Sequence, residues 1–274
     1  MDLLQSITLG IVQGLGEFLP ISSTAHLVSV PFFTHWKDPG LAFDVALHAG
    51  TLLAVVIYFW QDWVEIFKNG VLPRSYNKKC EGRDRALACS YNKNILWLLM
   101  IGTIPGAVIG FFLESYVETI FRSPYIIAFA LAFFGLVLFL LDKYALGKRQ
   151  LDKINIKDVL IIGLSQAVAI IPGVSRSGAT ISAGLAMGLD RVSAARFSFL
   201  LSTPIIFGAT LTKIPELMKA GISSEILMGI IFSAFSGYVA IKYLIKFVEN
   251  YSYKTFFWYR LVLAIIIIGV AVMR

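Results

Sequence analysis

The 274-residue chain is 57% hydrophobic and only 15% charged, with a mean hydropathy of +0.76. Soluble domains carry roughly 45–50% apolar and about 25% charged residues, so a soluble globular fold is excluded and an integral membrane protein is expected. The net charge of +7 would by itself admit a nucleic-acid partner, but its distribution along the chain assigns it to membrane topology, and no nucleic acid is expected.

In chain order, the first element is an apolar stretch, 1–35, interrupted by "GEFLPISSTAH" at 16–26. The first positive charge is Lys37, so the basic n-region of a cleavable leader is missing and none is expected. Apolar runs at 41–60, 95–113, 124–141, 197–212, 225–242 and 256–273 follow. Their length suits helices crossing a hydrocarbon core of roughly 30 Å. None shows the alternation of membrane β-strands, so the chain is all-α with six spanning helices. A second interrupted stretch occupies 158–190 and contains "PGVSRSGAT".

The loop 61–93 carries Lys68, Arg74, Lys78, Lys79, Arg83, Arg85 and Lys93, and the loop 142–158 carries Lys143, Lys148, Arg149, Lys153 and Lys157. Lys242, Lys246, Lys254 and Arg260 flank the last connection. Loops 114–123 and 213–224 hold only Arg122, Lys213 and Lys219, balanced by Glu114, Glu118 and Glu216. By the positive-inside rule the three basic connections are cytoplasmic and both termini lie outside. Arg191 and Arg196 fall on the cytoplasmic side as interface anchors. Cys80 and Cys89 share the first basic loop without metal or redox spacing and are expected as free thiols.

The two interrupted stretches are related. Gly10, Gln13 and Ser22 recur at one constant offset as Gly163, Gln166 and Ser175, and in each half three spanning helices follow. An odd number of crossings inverts the second copy, giving inverted repeats over about 1–142 and 158–274 of a single membrane domain, with two re-entrant broken helix pairs meeting near the midplane. Irregular backbone at that depth requires a protein or water-filled cover, so both stretches are expected to wall one internal polar site.

After each proline a new helix should begin, with Ser22, Ser23 or Thr24 and Ser175 or Ser177 as N-cap candidates. Two such termini favour an anion, and Arg176 adds a fork suited to phosphate. Gln13 and Glu17 stack on one helical face, as do Ser23 and His26. A carboxylate is unwelcome in a purely anion-binding site. Glu17 therefore holds a divalent cation, accepts a proton or couples transport to protons, and with Ser23, His26 and Arg176 the set points to phosphoryl chemistry. Asp44 and His48 form another i,i+4 pair, either solvated near an interface or lining the site entrance.

At these residues the chain resembles the bacterial undecaprenyl-diphosphate phosphatases of the bacitracin-resistance type. The resemblance rests on "QGLGEFLPISSTAH" and "PGVSRSGAT" and extends over nearly the whole chain. It implies a multi-pass inner-membrane enzyme that hydrolyses a polyprenyl diphosphate to the monophosphate on the outer face, recycling the lipid carrier of wall synthesis. It further implies dependence on a divalent cation (Mg²⁺ or Ca²⁺); contact with membrane lipids is expected from the composition, and a homodimer is an open expectation that the sequence does not decide. Carried over, Gln13 and Glu17 fill the acidic motif, with Glu17 the surer metal ligand, and Ser23 with His26 fill the catalytic box. Arg176 joins them, and Gln13, Ser22, Thr24, Ser175, Ser177 and Thr180 take the substrate-binding positions. Many members have Glu where this chain has Gln13, which weakens schemes that need two carboxylates. A transporter or flippase for a lipid phosphate is the alternative, since the architecture is also a transporter's.

Overall fold

The computed structural model describes residues 1–37, 39–71, 91–92, 94–119, 123–145, 147–220 and 223–273. Cys80, Cys89, Arg74, Lys78, Lys79, Arg83, Arg85, Lys93 and Arg122 lie outside the described residues, as do the side chains of 41–42, 69–71, 114–119 and 213–220. Among the described residues the secondary structure is helical, apart from one isolated bridge between Arg149 and Leu189.

Helix α1 (Leu3–Phe18) starts on Asp2, whose carboxylate accepts from Gln5 N at 2.7 Å. It stops where Pro20 forces Leu19 into extended backbone at φ −66°, ψ 138°. Helix α2 (Ser23–Thr34) begins after Ser22, at φ 73° and ψ 94°. The second half repeats this grammar. Helix α7 (Ile156–Val168) opens on an Asn155–Asp158 capping box, a break containing Pro172 and Gly173 follows, and α8 (Arg176–Ala186) begins after Ser175 at φ 72° and ψ 114°. Both serines cap as expected, accepting from Ala25 N at 3.4 Å and Gly178 N at 3.1 Å.

Between these pairs lie α3 (Leu41–Tyr58), α4 (Trp60–Val71), α5 (Ile95–Thr119) and α6 (Pro124–Tyr144). After them come α9 (Arg191–Ala220), α10 (Ser224–Asn250) and α11 (Lys254–Met273). Among the described residues, five helices (α5, α6, α9, α10 and α11) are each long and apolar enough to cross a membrane. The sequence led us to expect a sixth span over 41–60 and a loop from 61. Helix α3 covers the first, and α3 with α4 is apolar enough to make a sixth span bent by 71°; the expected loop begins instead as helix, Trp60–Val71. The bend brings Asp62 to Arg196 Nη2 at 2.5 Å and to the Tyr91 hydroxyl at 2.6 Å. Arg196 is thus a buried ion-pair partner rather than a solvated anchor, and Arg191 is likewise paired, with Asp142 at 2.5 Å.

Packing follows the rules of a lipid solvent. Rings such as Phe111, Phe112, Phe129 and Phe235 face outward, while small residues let backbones touch. Gly10 on α1 lies against the backbone of Gly229 on α10, and its counterpart Gly163 on α7 lies against the backbone of Gly102 on α5. Of the five spans, α9 is the most enclosed: 61% of its apolar window is buried, against 28–33% for the others. It packs on α3, α5 and α8, whereas α1 lies chiefly on α10 and reaches α9 through the Phe18–Phe199 ring contact, and α7 lies chiefly on α5.

Candidate active site

The two breaks bind each other directly. Gly173 N donates to Ser22 Oγ at 3.1 Å, and Ser177 Oγ donates to the Leu19 carbonyl oxygen at 3.2 Å. Positive φ in a serine costs on the order of 1–3 kcal/mol, and these cross-links hold Ser22 and Ser175 in that conformation.

Above the junction sits a carboxylate–guanidinium pair. Glu17, in the last turn of α1, receives Arg176 Nη2 on Oε1 at 2.7 Å. Its Oε2 accepts from Ser23 Oγ at 3.0 Å and Gln13 Nε2 at 3.1 Å, and lies 3.5 Å from His48 Nε2. Arg176 Nη1 is steadied by the Ser198 carbonyl at 2.9 Å, and the Thr180 hydroxyl bonds the Ser198 hydroxyl at 2.7 Å. The pair borders a cavity of about 200 Å³. Its lining joins polar residues, Ser22, Ser23, Thr24, His48, Ser175 and Arg176 beside Glu17, to apolar ones, Ala169, Ile170, Ile205, Ile206 and Ala209.

Most of the expected site residues therefore meet. Gln13 stands behind Glu17, Thr180 supports Arg176 through Ser198, and Ser177 is fully buried under the breaks. His26 does not join them. Its Nδ1 donates to the Ser22 carbonyl at 2.7 Å, its Nε2 accepts from the Tyr259 hydroxyl at 2.6 Å, and its ring stacks on that tyrosine. Residues 23 and 26 share a helical side, but only Ser23, at the helix start, is turned toward Glu17. The imidazole that borders the cavity is His48, whose i,i+4 spacing with Asp44 was its only trace in the sequence. Gln166 and Gly106 also line the cavity and were not expected there.

The family described as bacitracin resistance protein BacA matches residues 6–266. The chain belongs to this family. It is similar over its full length to undecaprenyl-diphosphatases from Moorella thermoacetica (48% identity, 100% of both chains) and Desulforudis audaxviator (44%, 100% of both chains). The same holds for the undecaprenyl-diphosphatase of Pelotomaculum thermopropionicum (43%, 100% of this chain and 98% of the relative).

A divalent cation, implied by the resemblance of this BacA-family chain, is compatible with the donors present. Gln13 Oε1 is buried without a hydrogen-bond partner beside Glu17, and an orphaned amide oxygen, a carboxylate and the Ser23 hydroxyl are hard donors of the kind Mg²⁺ and Ca²⁺ take. Among the described residues no cluster of three or more His, Cys, Asp or Glu forms a cage, so phosphate oxygens and water would complete the shell.

Arg260 was read from the sequence as a loop-flanking charge, and here the structure corrects that reading. In this BacA-family fold it is fully buried and donates to five carbonyl oxygens: Leu131 at 3.0 Å, Ala130 at 3.3 Å, Pro20 at 3.4 Å, Gly173 at 2.7 Å and Val174 at 2.9 Å. Three of these belong to the two breaks. Lysine cannot reproduce a planar fork of five donors, and each buried acceptor left unsatisfied costs about 1–3 kcal/mol. Arg260→Lys should therefore lower the thermal midpoint in detergent and leave less than about a tenth of native turnover. Native stability and turnover in that variant would show that the carbonyls are satisfied without the fork.

Proposed function

We propose that this chain hydrolyses undecaprenyl diphosphate to the monophosphate and inorganic phosphate, recycling the lipid carrier of wall synthesis and so opposing bacitracin. The observation that carries the reading is the cavity itself: Glu17, Ser23 and Arg176 share about 200 Å³ with isoleucines and alanines. A charged headgroup on an apolar chain needs both surfaces at once.

The resting contacts support a route. An incoming terminal phosphate exchanges with Glu17 for Arg176 Nη2, while Nη1 keeps its hold on Ser198. The first N–H groups of α2 and α8 add dipolar stabilisation to the same anion. Released from the guanidinium, Glu17 accepts the Ser23 proton through the bond its Oε2 already makes. Ser23 Oγ attacks the terminal phosphorus, the bond to the bridging oxygen breaks, and the isoprenyl monophosphate leaves. Water then attacks the phosphoserine phosphorus, the P–Oγ bond breaks, Glu17 returns its proton to Ser23 Oγ, and inorganic phosphate departs carrying the water's oxygen and protons. A divalent cation held by Glu17, Gln13 Oε1 and Ser23 would neutralise phosphate charge during these steps. Flipping a lipid phosphate would require none of the Ser23–Glu17 contact.

In the same reading the chain is one membrane domain of two inverted halves, about 1–142 and 158–274, and the pairs α1–α2 and α7–α8 are re-entrant. Support comes from the matched caps Ser22 and Ser175 and from the matched glycine contacts, in which each half's first helix lies on a helix of the other half. Both termini and the cavity mouth face outward, as the basic connections require.

Purified protein should release inorganic phosphate from undecaprenyl diphosphate, and Ser23→Ala should slow release by at least about a thousandfold. Binding without release would favour the flippase, and an active Ser23→Ala enzyme would pass the attack to water. For the cation, Gln13→Glu should lower the metal concentration giving half activity, because it adds an anionic oxygen one turn from Glu17. An unchanged titration would remove Gln13 from the ligand set. For orientation, Cys80 and Cys89 should resist an impermeant thiol reagent in intact cells and react after lysis; labelling of intact cells would reverse the topology.

A further inference from the structure

We propose that Gln166 is a substrate-binding residue that holds the phosphate bonded to the isoprenyl chain, the one the reaction leaves in place; this rests on the phosphatase reading above. Gln166 lies in the last turn of α7, is 2% exposed, and borders the cavity. Neither its Nε2 nor its Oε1 has a hydrogen-bond partner. Buried amides are ordinarily satisfied, and one left open calls for an explanation.

Comparison with Gln13 shows why it is open. One turn after Gln13 stands Glu17, which accepts its Nε2. One turn after Gln166 stands Ile170, which can accept nothing. The neighbouring helix also makes room for the amide: a Cβ at Gly106 on α5 would come within 3.0 Å of Gln166 Nε2 and 3.3 Å of its Cγ. The amide is thus held at the cavity by an absent side chain and left without a protein partner.

Its position fits one part of the substrate. Gln166 lines the same cavity as Arg176 and Ser23 and sits among its apolar lining: a Cβ at Gly106 would meet both its amide and Ile205 Cδ1, and Ala169 and Ile170 follow it in the chain. A lipid diphosphate presents, in order, a terminal phosphate, an ester-bonded phosphate and hydrocarbon. With the terminal phosphate at Arg176 and Ser23 and hydrocarbon along the isoleucines, the ester-bonded phosphate falls at Gln166. A neutral amide donates to it without adding charge, so the monophosphate product is recognised without being held as an ion pair.

The test measures competitive inhibition by two probes, undecaprenyl monophosphate and inorganic phosphate, in the native protein and in Gln166→Leu. Losing one such hydrogen bond should raise KM for the diphosphate and the inhibition constant of the monophosphate by about tenfold. The inhibition constant of inorganic phosphate and kcat should stay within about twofold. Gly106→Ala, which crowds the amide, should show the same pattern more weakly. Leucine fills similar volume and removes the unsatisfied atoms, so Gln166→Leu should be at least as heat-stable as the native chain. Equal weakening of both probes, an unchanged monophosphate constant, or a destabilised Gln166→Leu would each overturn the proposal. Direct binding of undecaprenyl monophosphate to both proteins remains readable even for a chain that releases no phosphate, so failure of the phosphatase reading and failure of this one are told apart.

Discussion

A guanidinium bound to carbonyl oxygens holds the centre of this fold together. Breaking a helix leaves carbonyl oxygens without their intrahelical donors, and inside a bilayer there is no bulk water to satisfy them. This chain breaks two helices at one place. Arg260 supplies the missing donors from α11, spanning Pro20 in one break and Gly173 and Val174 in the other, and tying both to Ala130 and Leu131 on α6. The space for its stem comes from Gly135, where a Cβ would lie 3.4 Å from three Arg260 atoms. Irregular backbone, positive-φ serines and two exposed helix N-termini are all tolerated at one point because this fork is there.

The polar site is built on that junction by exchange between the halves. Glu17 and Ser23 come from the first, Arg176 and its support from the second, and each engages the other in place of a ligand. A carboxylate and a guanidinium removed from water are costly singly and tolerable as a pair. Their pairing keeps a site designed for highly charged phosphates quiet in a low-dielectric setting, and phosphate can displace the carboxylate because it offers Arg176 Nη2 a charge-assisted acceptor with more charge.

Much of this was legible in the residues. Pro20 and Pro172 announced the breaks, the flanking serines announced caps, and apolar runs located the spans, because each rests on local backbone chemistry. Direction was harder to read. The three-residue spacing of Ser23 and His26 put them on one side of α2 but could not say that Tyr259, from the last helix, would claim the imidazole. Arg260 and Arg196 looked like boundary charges because their partners are carbonyls and an aspartate far away in sequence. The bend at Phe59 was hidden as well, since the Asp62–Arg196 pair it brings together joins residues far apart in sequence. Gln166 was visible only as a repeat match, since nothing local distinguishes a satisfied amide from an orphaned one.

The matched caps bear on how such a site could arise. The residue after Ser22 is Ser23, and the residue after Ser175 is Arg176, each opening its helix at the same point in the local geometry. In the inverted arrangement proposed above, two identical first halves would set serine against serine and carboxylate against carboxylate. Two identical second halves would oppose guanidiniums, which repel strongly in a low-dielectric interior. An attacking hydroxyl facing an anion holder requires unlike partners at equivalent places. A symmetric dimer of half-length chains could share such a scaffold without sharing its chemistry, so the difference between Ser23 and Arg176 at matched places after the two caps is itself a part of the catalyst.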